Sequence, residues 1–310
     1  MKRRDFCVLI ISYGRPDCVK SWTTLDRFYS KAPRYIICSD DDKTLPRYKE
    51  LYGEDHILVF NKEEEKKNFD VGDNYAGMYN SSCFAHNTYF RFARQLGYKY
   101  FLAMDDDSEI YRIRYQNPSE VTVLEDGTPK GPVRAAKIPD GRFDDVCEAY
   151  FRMLDSAPWL YCMAFSQGGD YIGGYNSATW KQKLRWKAMN SFFCCTDKEW
   201  QMPGRINEDA TAYVYNSHKG RVSITLAEVM LDQPSTQQMK GGMTDIYRDN
   251  GTWLKTAYTV MMCPSAVKFA IMPTSHRIHH NVNFSYCVPK VLSSKYCKGT
   301  PLKWEEVISD

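Results

Sequence analysis

The stretch GYKYFLAMDDDSEI (residues 97–110) decides the fold class of this 310-residue chain. It contains an apolar run, KYFLAM (99–104), whose length and composition predict a buried strand. Three acids follow directly, Asp105, Asp106 and Asp107, so the strand would deliver carboxylates to the edge of a sheet. Alternate carboxylates suit Mg²⁺ or Mn²⁺, while Asp is also common in turns that end strands. The triplet alone leaves a metal site and a plain turn open.

The residues before this stretch alternate short apolar runs with segments of helical spacing. Apolar runs of strand length lie at 6–12, 34–39 and 56–60, and helical patterns lie at 18–29 and 82–97. Because a repeated strand–helix–strand order builds parallel sheets, we predict an α/β fold with a mostly parallel central sheet and helices on both faces. Ligands of such sheets bind beyond the carboxyl ends of the strands. The acids at 105–107, and those at 40–42 after the second strand, are therefore well placed for a ligand site.

The composition is that of a globular protein with a mildly basic balance. Hydrophobic residues make up 43% and charged residues 25%, and the net charge of +3 allows a polyanionic partner without requiring one. The apolar run from Phe6 to Ile11 is too short for a signal peptide, and no stretch approaches the roughly 20 apolar residues of a membrane span. The eleven cysteines include no C-x-x-C pair, so we expect reduced thiols and a cytoplasmic location.

The middle of the chain carries a glycine-rich loop. Residues 111–142 are polar and contain several Pro and Gly, which predicts an excursion or a hairpin, and a helix at 144–156 and a strand at 160–167 follow. The next residues form QGGDYIGG (167–174). Positions without side chains let the backbone approach a ligand closely, or simply reverse direction. The loop matches neither a Walker loop nor a dinucleotide fingerprint.

An acidic pair opens a helical pattern in GRINEDATAYV (204–214). Glu208 and Asp209 are placed to cap the N-terminus of that helix, which is the simplest explanation for them. A carboxylate that faces an acceptor hydroxyl would instead serve as a general base. Both interpretations stay open at this point.

A histidine cluster, SHRIHH (275–280), lies near the C-terminus. His276, His279 or His280 could bind a metal ion, although an exposed histidine cluster is an equally good explanation. The chain has no H-E-x-x-H motif and no zinc-spaced cysteines, which disfavours a zinc enzyme.

A basic and aromatic segment lies at 180–187. Basic residues interleaved with aromatic ones suit the phosphates and bases of nucleic acid, while a solvated face that covers tryptophan is the alternative. The candidate DNA contacts are Lys181, Lys183, Arg185, Trp186 and Lys187.

The order of these motifs is more informative than any one of them. An acid triplet after the fourth strand, a glycine loop, an acidic pair that opens a helix and a late histidine resemble the GT-A fold glycosyltransferases, whose D-x-D motif, glycine loop, E-D motif and metal histidine come in that order. VLIISYGRP near the start and AHN (85–87) fit as well, with His86 where many members carry arginine. The resemblance implies a GT-A (Rossmann-like) catalytic domain.

Several segments narrow the resemblance further, to the TET-associated glycosyltransferases encoded by bacteriophages. These segments are QGGDYIGG, KAMNSFF, GRINEDATAYV, TQQMKGGMTDIY, PSAVK and RIHH, and the similarity runs from the first strand to about residue 290. It implies transfer of a sugar from a nucleotide donor to the hydroxymethyl group of a 5-hydroxymethylpyrimidine in phage DNA. The leading candidate for the donor is a UDP-sugar, and the leading candidate for the acceptor base is 5-hydroxymethylcytosine. The enzyme would then act in the host cytoplasm.

The same resemblance implies roles for individual residues. Asp105 and Asp107 would hold Mn²⁺ or Mg²⁺ against the donor diphosphate, with His279 or His280 completing the metal shell. Asp209 would deprotonate the acceptor hydroxymethyl group, which implies a single displacement with inversion. The residues expected to contact the donor or acceptor are Glu208, Asp106, Tyr13, Arg15, Asp40, Gly168 and Gly169.

The domain organisation follows from the same comparison. We expect residues 1–235 to form the catalytic core, and residues 236–310 to form a C-terminal extension that packs on the same domain and contributes the metal-binding histidine.

Three other functions compete with this one. A glycosyltransferase of the same fold could act on a hydroxyl group of a glycan or a protein. A two-metal phosphoesterase could use the same acids and histidines, and would cleave phosphate bonds without a sugar donor. A non-catalytic DNA-binding protein is a further alternative, which the modest net charge supports only weakly.

Overall fold

The computed structural model describes residues 5–68, 82–125, 127, 129–171, 174–177, 180–181, 184–233, 252–273 and 276–286. Within these ranges a ten-stranded sheet forms the centre of the molecule. Its strands are β1 (Phe6–Ile11), β2 (Arg34–Ser39), β3 (Ile57–Phe60), β4 (Tyr100–Asp105), β5 (Ile110–Gln116), β8 (Val133–Lys137), β9 (Leu160–Ser166), β10 (Leu184–Arg185), β11 (Ser191–Cys195) and β12 (Val222–Asp232). The strands lie in the order β3-β2-β1-β4-β11-β9-β12-β5-β8, with β10 paired to β12. Two small antiparallel ribbons complete the strands, β6 (Thr122–Val123) with β7 (Pro129–Lys130) and β13 (Val267–Ile271) with β14 (Ile278–Val282).

Eight α-helices lie in the described ranges. They are α1 (Lys20–Arg27), α2 (Leu45–Tyr52), α3 (Lys62–Lys66), α4 (Ser82–His86), α5 (Tyr89–Gln95), α6 (Phe143–Ser156), α7 (Glu208–His218) and α8 (Trp253–Met262). In this part of the chain no helix is both long enough and apolar enough to cross a bilayer.

The first four strands are parallel, as the sequence predicts. β1 lies between β2 and β4 and pairs with both in the same direction, and β2 pairs with β3 in the same way. Side chains of β1 alternate between two apolar clusters: Val8 and Ile10 pack on one face, and Cys7 and Leu9 on the other. A strand buried on both faces reads as a continuous apolar run, which is why FCVLII is recognisable in the sequence.

The rest of the sheet is mixed. Of its described strands, only β5, β10 and β11 run against the direction of β1. The polar segment at 111–142 does contain a hairpin, because β5 pairs antiparallel with β8, and this hairpin extends the central sheet.

The helical pattern at 82–97 is divided into α4 and α5. Asn87 lies between them, and its amide nitrogen donates to the carbonyls of Cys83 (2.8 Å) and Met202 (3.1 Å). The amide oxygen of Asn87 also accepts the backbone N–H of Met202 at 3.0 Å. The asparagine thus ties the break between the helices to a distant loop, a contact that the local pattern does not disclose.

The chain after residue 252 packs against α7. Ala210 and Val214 of α7 share a buried apolar cluster with Cys263, Ala266 and Val267, at the end of α8 and the start of β13. This packing brings α8 and the β13–β14 ribbon next to the first turn of α7, where the acidic pair lies.

Candidate active site

A cavity of about 350 Å³ lies at the carboxyl ends of β1, β2 and β4. Because the strands are parallel and Ile11 pairs with Asp105, the residues after β1 and β4 meet at one edge of the sheet. The opposite wall comes from the first residues of α7. Of the residues that the sequence singles out, those that line this cavity are Tyr13, Arg15, Asp105, Asp106, Asp107, Glu208 and Asp209.

The middle acid of the triplet, Asp106, is directed into the protein. Asp106 is 1% exposed, and its Oδ2 accepts a hydrogen bond from the hydroxyl of Ser12 at 2.5 Å and lies 2.8 Å from Nε of Arg15. Ser12 in turn lies 2.6 Å from the hydroxyl of Tyr48. Burial raises the pKa of Asp106 to about 6, although Arg15 opposes that shift. Asp106 therefore positions Arg15 in the cavity wall.

Asp105 and Asp107 flank this buried acid. Asp105 is the last residue of β4, and the turn that the sequence predicts as one alternative follows it at once. Asp107 Oδ1 accepts a 2.9 Å hydrogen bond from Nε2 of Gln233, the residue after β12. Burial raises the pKa of Asp107 to about 7, and the neighbouring charges of Asp105 and Asp106 add to the shift. The site therefore concentrates negative charge.

His86, the last residue of α4, lies between the two acidic groups of the cavity. It is 5% exposed; its Nε2 lies 3.6 Å from Oδ1 of Asp105, and its Nδ1 lies 3.5 Å from Oε1 of Glu208. Burial lowers the pKa of His86, but the neighbouring carboxylates of Asp105, Glu208 and Asp209 outweigh it, so the pKa is raised. The imidazole thus joins the end of β4 to the start of α7.

The turn before α7 aims the acidic pair at the cavity. Asn207 has φ of 58° and ψ of 35°, a left-handed conformation that asparagine tolerates better than most residues. Its amide nitrogen donates to Oγ1 of Thr259 at 2.6 Å and lies 3.3 Å from Nδ1 of His280. The conformation of Asn207 is therefore held by α8 and β14.

Asp209 lies in the first turn of α7. Its Oδ1 accepts the backbone N–H of Ala210 at 2.6 Å, so the carboxylate does satisfy a donor at the N-terminus of the helix. Burial raises the pKa of Asp209 to about 6, and the negative charge of Glu208 is the second largest cause of the rise. A carboxylate with a pKa near 6 is ionised at neutral pH and is a stronger base than an ordinary aspartate.

Lys255 is a cavity residue that the sequence does not point out. It lies on α8, and its side chain lines the cavity together with Asp209. Burial lowers the pKa of Lys255, while the negative charge of Asp209 opposes the shift. The sequence around Lys255 does not predict its place in the cavity, because only the packing of α8 against α7 brings it there.

The other residues predicted to contact the nucleotide-sugar donor lie at the margin of the cavity. Asp40 is exposed and accepts the backbone N–H of Lys62 at 3.1 Å, and Lys62, not Asp40, lines the cavity. Gly168 and Gly169 begin a single 3₁₀ turn, directly after Gln167 in the cavity wall.

The two histidines of the RIHH motif lie side by side on β14, with ring centroids 4.2 Å apart. Burial, followed by the charges of His279 and Lys255, lowers the pKa of His280 to about 3, so its ring is neutral. Among the described residues, no three His, Cys, Asp or Glu side chains come together closely enough to hold a metal ion.

The basic segment at 180–187 is only partly on the surface. Lys187 Nζ lies 2.5 Å from Oδ1 of the buried Asp170, and Trp186 packs against the main apolar cluster. Lys181 is exposed and Arg185 is half-buried. Lys183 lies outside the described residues. DNA contact by this segment stays a prediction.

Comparisons with known proteins complete the description of the site. A family model described as TET-Associated Glycosyltransferase matches residues 6–242. No curated protein matches the chain. Among solved structures, one titled “Crystal Structure of a Mycobacterial Protein” is 8% identical, with 90% of this chain and 83% of that chain covered and a TM-score of 0.43. That overlap is too loose to carry a conclusion about fold or function.

Proposed function

This chain belongs to the TET-associated glycosyltransferase family, and from that premise we propose that it transfers a sugar from a UDP-sugar to the hydroxymethyl group of 5-hydroxymethylcytosine, or of another 5-hydroxymethylpyrimidine, in DNA. The proposal includes a GT-A type of catalytic domain, a divalent metal ion and inversion at the anomeric carbon. Family membership itself favours a glycosyltransferase over the phosphoesterase and over a non-catalytic DNA-binding protein.

One observation carries the proposal. Asp105 at the end of β4 and Asp209 at the start of α7 line the same cavity, and His86 lies between Asp105 and Glu208. Sugar transfer from a nucleotide needs a group that manages the departing diphosphate and another that takes the proton of the acceptor hydroxyl. Two sets of carboxylates on different walls of one cavity suit that division of labour.

The acid triplet is chemically suited to a hard divalent cation. Asp105 and Asp107 offer carboxylate oxygens, and a Mg²⁺ site needs only one or two protein carboxylates beside substrate phosphates and water. We propose that these two residues hold Mn²⁺ or Mg²⁺, which would neutralise the diphosphate as it leaves, with His280 as the candidate for a third protein ligand. Gln233 donates a hydrogen bond to Asp107 and would fix the direction of the Asp107 carboxylate.

Asp209 is our proposed general base. A primary alcohol is a poor nucleophile near neutral pH, so a positioned carboxylate has to accept its proton. The raised pKa of Asp209 makes it a stronger base while leaving it ionised at pH 7 to 8. Its hydrogen bond to Ala210 N fixes one carboxylate oxygen, and attack from this wall in one step would invert the anomeric centre.

Arg15 and Tyr13 are the proposed donor contacts on the other wall. Arg15 is oriented by the buried Asp106, so its planar cation is held in place before the donor binds. Lys62 and Ser39 line the same wall. We propose that they take the place beside the nucleotide that the sequence suggests for Asp40.

The direct test is transfer from several radiolabelled UDP-sugars to matched DNA. Duplexes with 5-hydroxymethylcytosine, with 5-hydroxymethyluracil and without modification are incubated with the enzyme and Mn²⁺, and the nucleosides are then identified by mass spectrometry. We expect a hexosylated hydroxymethyl nucleoside only from modified DNA. If label goes to an added glycan or protein acceptor and none to DNA, the DNA proposal is wrong.

A further inference from the structure

The C-terminal part of the chain has a charge composition unlike the rest. Residues 250–304 contain no Asp or Glu, while the chain as a whole carries 41 basic and 38 acidic residues. The basic residues of this segment are Lys255, Lys268, Arg277, Lys290, Lys295, Lys298 and Lys303. An acid-free segment of this length gives one part of an otherwise balanced sequence a net positive charge, which suits a polyanionic partner.

Within this segment, the β13–β14 ribbon exposes a row of apolar side chains. Phe269 is 52% exposed, Ile271 67%, Met272 38% and Ile278 42%. Cross-strand pairing sets Ile271 directly opposite Ile278, so both lie on one face, as does Phe269 two residues before Ile271. Exposed apolar residues that are grouped in this way mark an interaction site more often than scattered ones do.

The row begins next to a residue of the cavity wall and extends away from it. Phe269 pairs with His280, and His280 lies 3.3 Å from the amide nitrogen of Asn207, which lines the cavity. On the same face, before Phe269, Val267 is buried in the cluster that joins β13 to α7. The ribbon is thus anchored beside the acidic pair, while its apolar tip, Ile271 and Met272, faces solvent.

Two cations lie next to the row along the chain. Lys268 and Arg277 are both exposed, Lys268 on the opposite face of β13 and Arg277 directly before β14. Phosphates of a DNA backbone would complement both. A second copy of this chain would bring the same positive charge to the contact, so self-association through this surface is disfavoured.

We propose that the β13–β14 ribbon is a wedge that enters duplex DNA beside the target base. This inference rests on the proposed function. Extrusion from the stacked duplex would carry a hydroxymethylated base into a cavity of about 350 Å³, within reach of its carboxylates. Proteins that open base steps do so with apolar side chains such as Phe, Leu, Ile or Met, flanked by basic residues on the phosphates. Ile271 and Phe269 supply the apolar part, and Lys268 and Arg277 the basic part.

The test compares duplex with single-stranded acceptor. The double variant Phe269→Ser/Ile271→Ser changes only exposed side chains, and Val123→Ser, at a residue that is 71% exposed on the β6–β7 ribbon, is the matched control. We expect kcat/KM for duplex hydroxymethylcytosine DNA to fall at least about tenfold, because the energy of opening the stack is no longer offset. The value for the same strand without its complement should change less than about twofold, and Val123→Ser should match the wild type on both.

A second readout follows the base itself. 2-Aminopurine next to the target base brightens when it is unstacked, so the wild type should raise its fluorescence in a duplex and the double variant should not. Lys268→Gln/Arg277→Gln should weaken duplex binding and reduce the slope of log K against log salt by about two, since roughly one counterion is released per phosphate contact.

The outcomes separate the wedge from the proposed function. If the wild type labels neither duplex nor single-stranded DNA, the proposed function fails and the wedge with it. If the wild type is active but the double variant keeps its duplex rate, or loses both rates equally, only the wedge is wrong. A dimer that becomes a monomer in the double variant, measured by light scattering, would make this row a contact between copies and would also overturn the proposal.

Discussion

Nε of Arg15 lies 2.8 Å from Oδ2 of Asp106, at the buried centre of the acid triplet. The pair separates Asp106, which holds a cation of the protein, from Asp105 and Asp107, which we propose to hold the metal ion. Ser12 donates to the same oxygen of Asp106, so the carboxylate has two partners within the protein.

This division predicts the behaviour of Asp106→Asn. Arg15 would lose its charged partner and its fixed direction, so we expect KM for the UDP-sugar to rise about tenfold, with kcat reduced less than about threefold. Steady-state kinetics with varied donor measure the split. Asp144→Asn is the control. Asp144 is also buried and accepts hydrogen bonds, from Ser30 and Lys31, but it lies away from the cavity. A selective fall in kcat in Asp106→Asn would contradict a positioning role.

The pKa of Asp209 predicts the pH dependence of transfer. A general base must be ionised, and burial raises the pKa of Asp209 to about 6. We therefore expect kcat/KM to be low at pH 5, to rise through about pH 6 and to level off above about pH 7. The measurement is an initial-rate profile at constant ionic strength. In Asp209→Asn the rate should fall by about 10²–10⁴ at pH 8, and donor binding should be nearly unchanged.

The same substitution should stabilise the protein at neutral pH. Since the pKa is raised on folding, the folded state binds the Asp209 proton more tightly than the unfolded state does, and stability is lost as pH rises from about 4 through about 6. Asp209→Asn removes this half-buried charge, so its free energy of unfolding at pH 8 should exceed that of the wild type by on the order of 1–2 kcal/mol. Urea unfolding at pH 8 and at pH 4.5 checks this, because the difference should shrink to roughly a third at the lower pH.

Asp105 shows what could be predicted from the sequence, and Asp106 shows what could not. An apolar run followed by acids locates the end of β4, and the parallel order then places the carboxylates at the carboxyl edge of the sheet, beside the cavity. Which of three consecutive acids turns inward depends on Ser12 and Arg15, which come from a different strand end. Lys255 and Gln233 were missed for the same reason, since packing of distant segments brings them to the cavity. The acid-free segment at 250–304, by contrast, is plain in the sequence once charges are counted by region.

The carboxylates at the end of β4 predict a metal-dependent gain in stability. Mn²⁺ together with UDP should raise the Tm of the wild type by several degrees, because a ligand at about 100 times its Kd adds about 2.7 kcal/mol. Asp105→Asn/Asp107→Asn should lose most of this gain, and Asp40→Asn, an exposed carboxylate at the end of β2, should keep it. Differential scanning fluorimetry with and without Mn²⁺ measures the effect. An equal gain in the double variant would remove these residues from the metal site.

Lys255 predicts a shift of the pH profile. It is a cation of the cavity wall, and it interacts electrostatically with Asp209. Lys255→Met removes a charge that favours the ionised carboxylate, so the pKa of Asp209 should rise further and the acid limb of the rate profile should move up by about half a unit to one unit. Lys255→Arg keeps the charge and should keep the profile. Lys62→Met is the second control. Lys62 lines the same cavity, but its Nζ lies 2.6 Å from Oδ2 of Asp41. The acid limb of the rate profile should therefore stay in place in this variant, even if the donor binds more weakly. An unshifted limb in Lys255→Met would show that Lys255 does not tune the base.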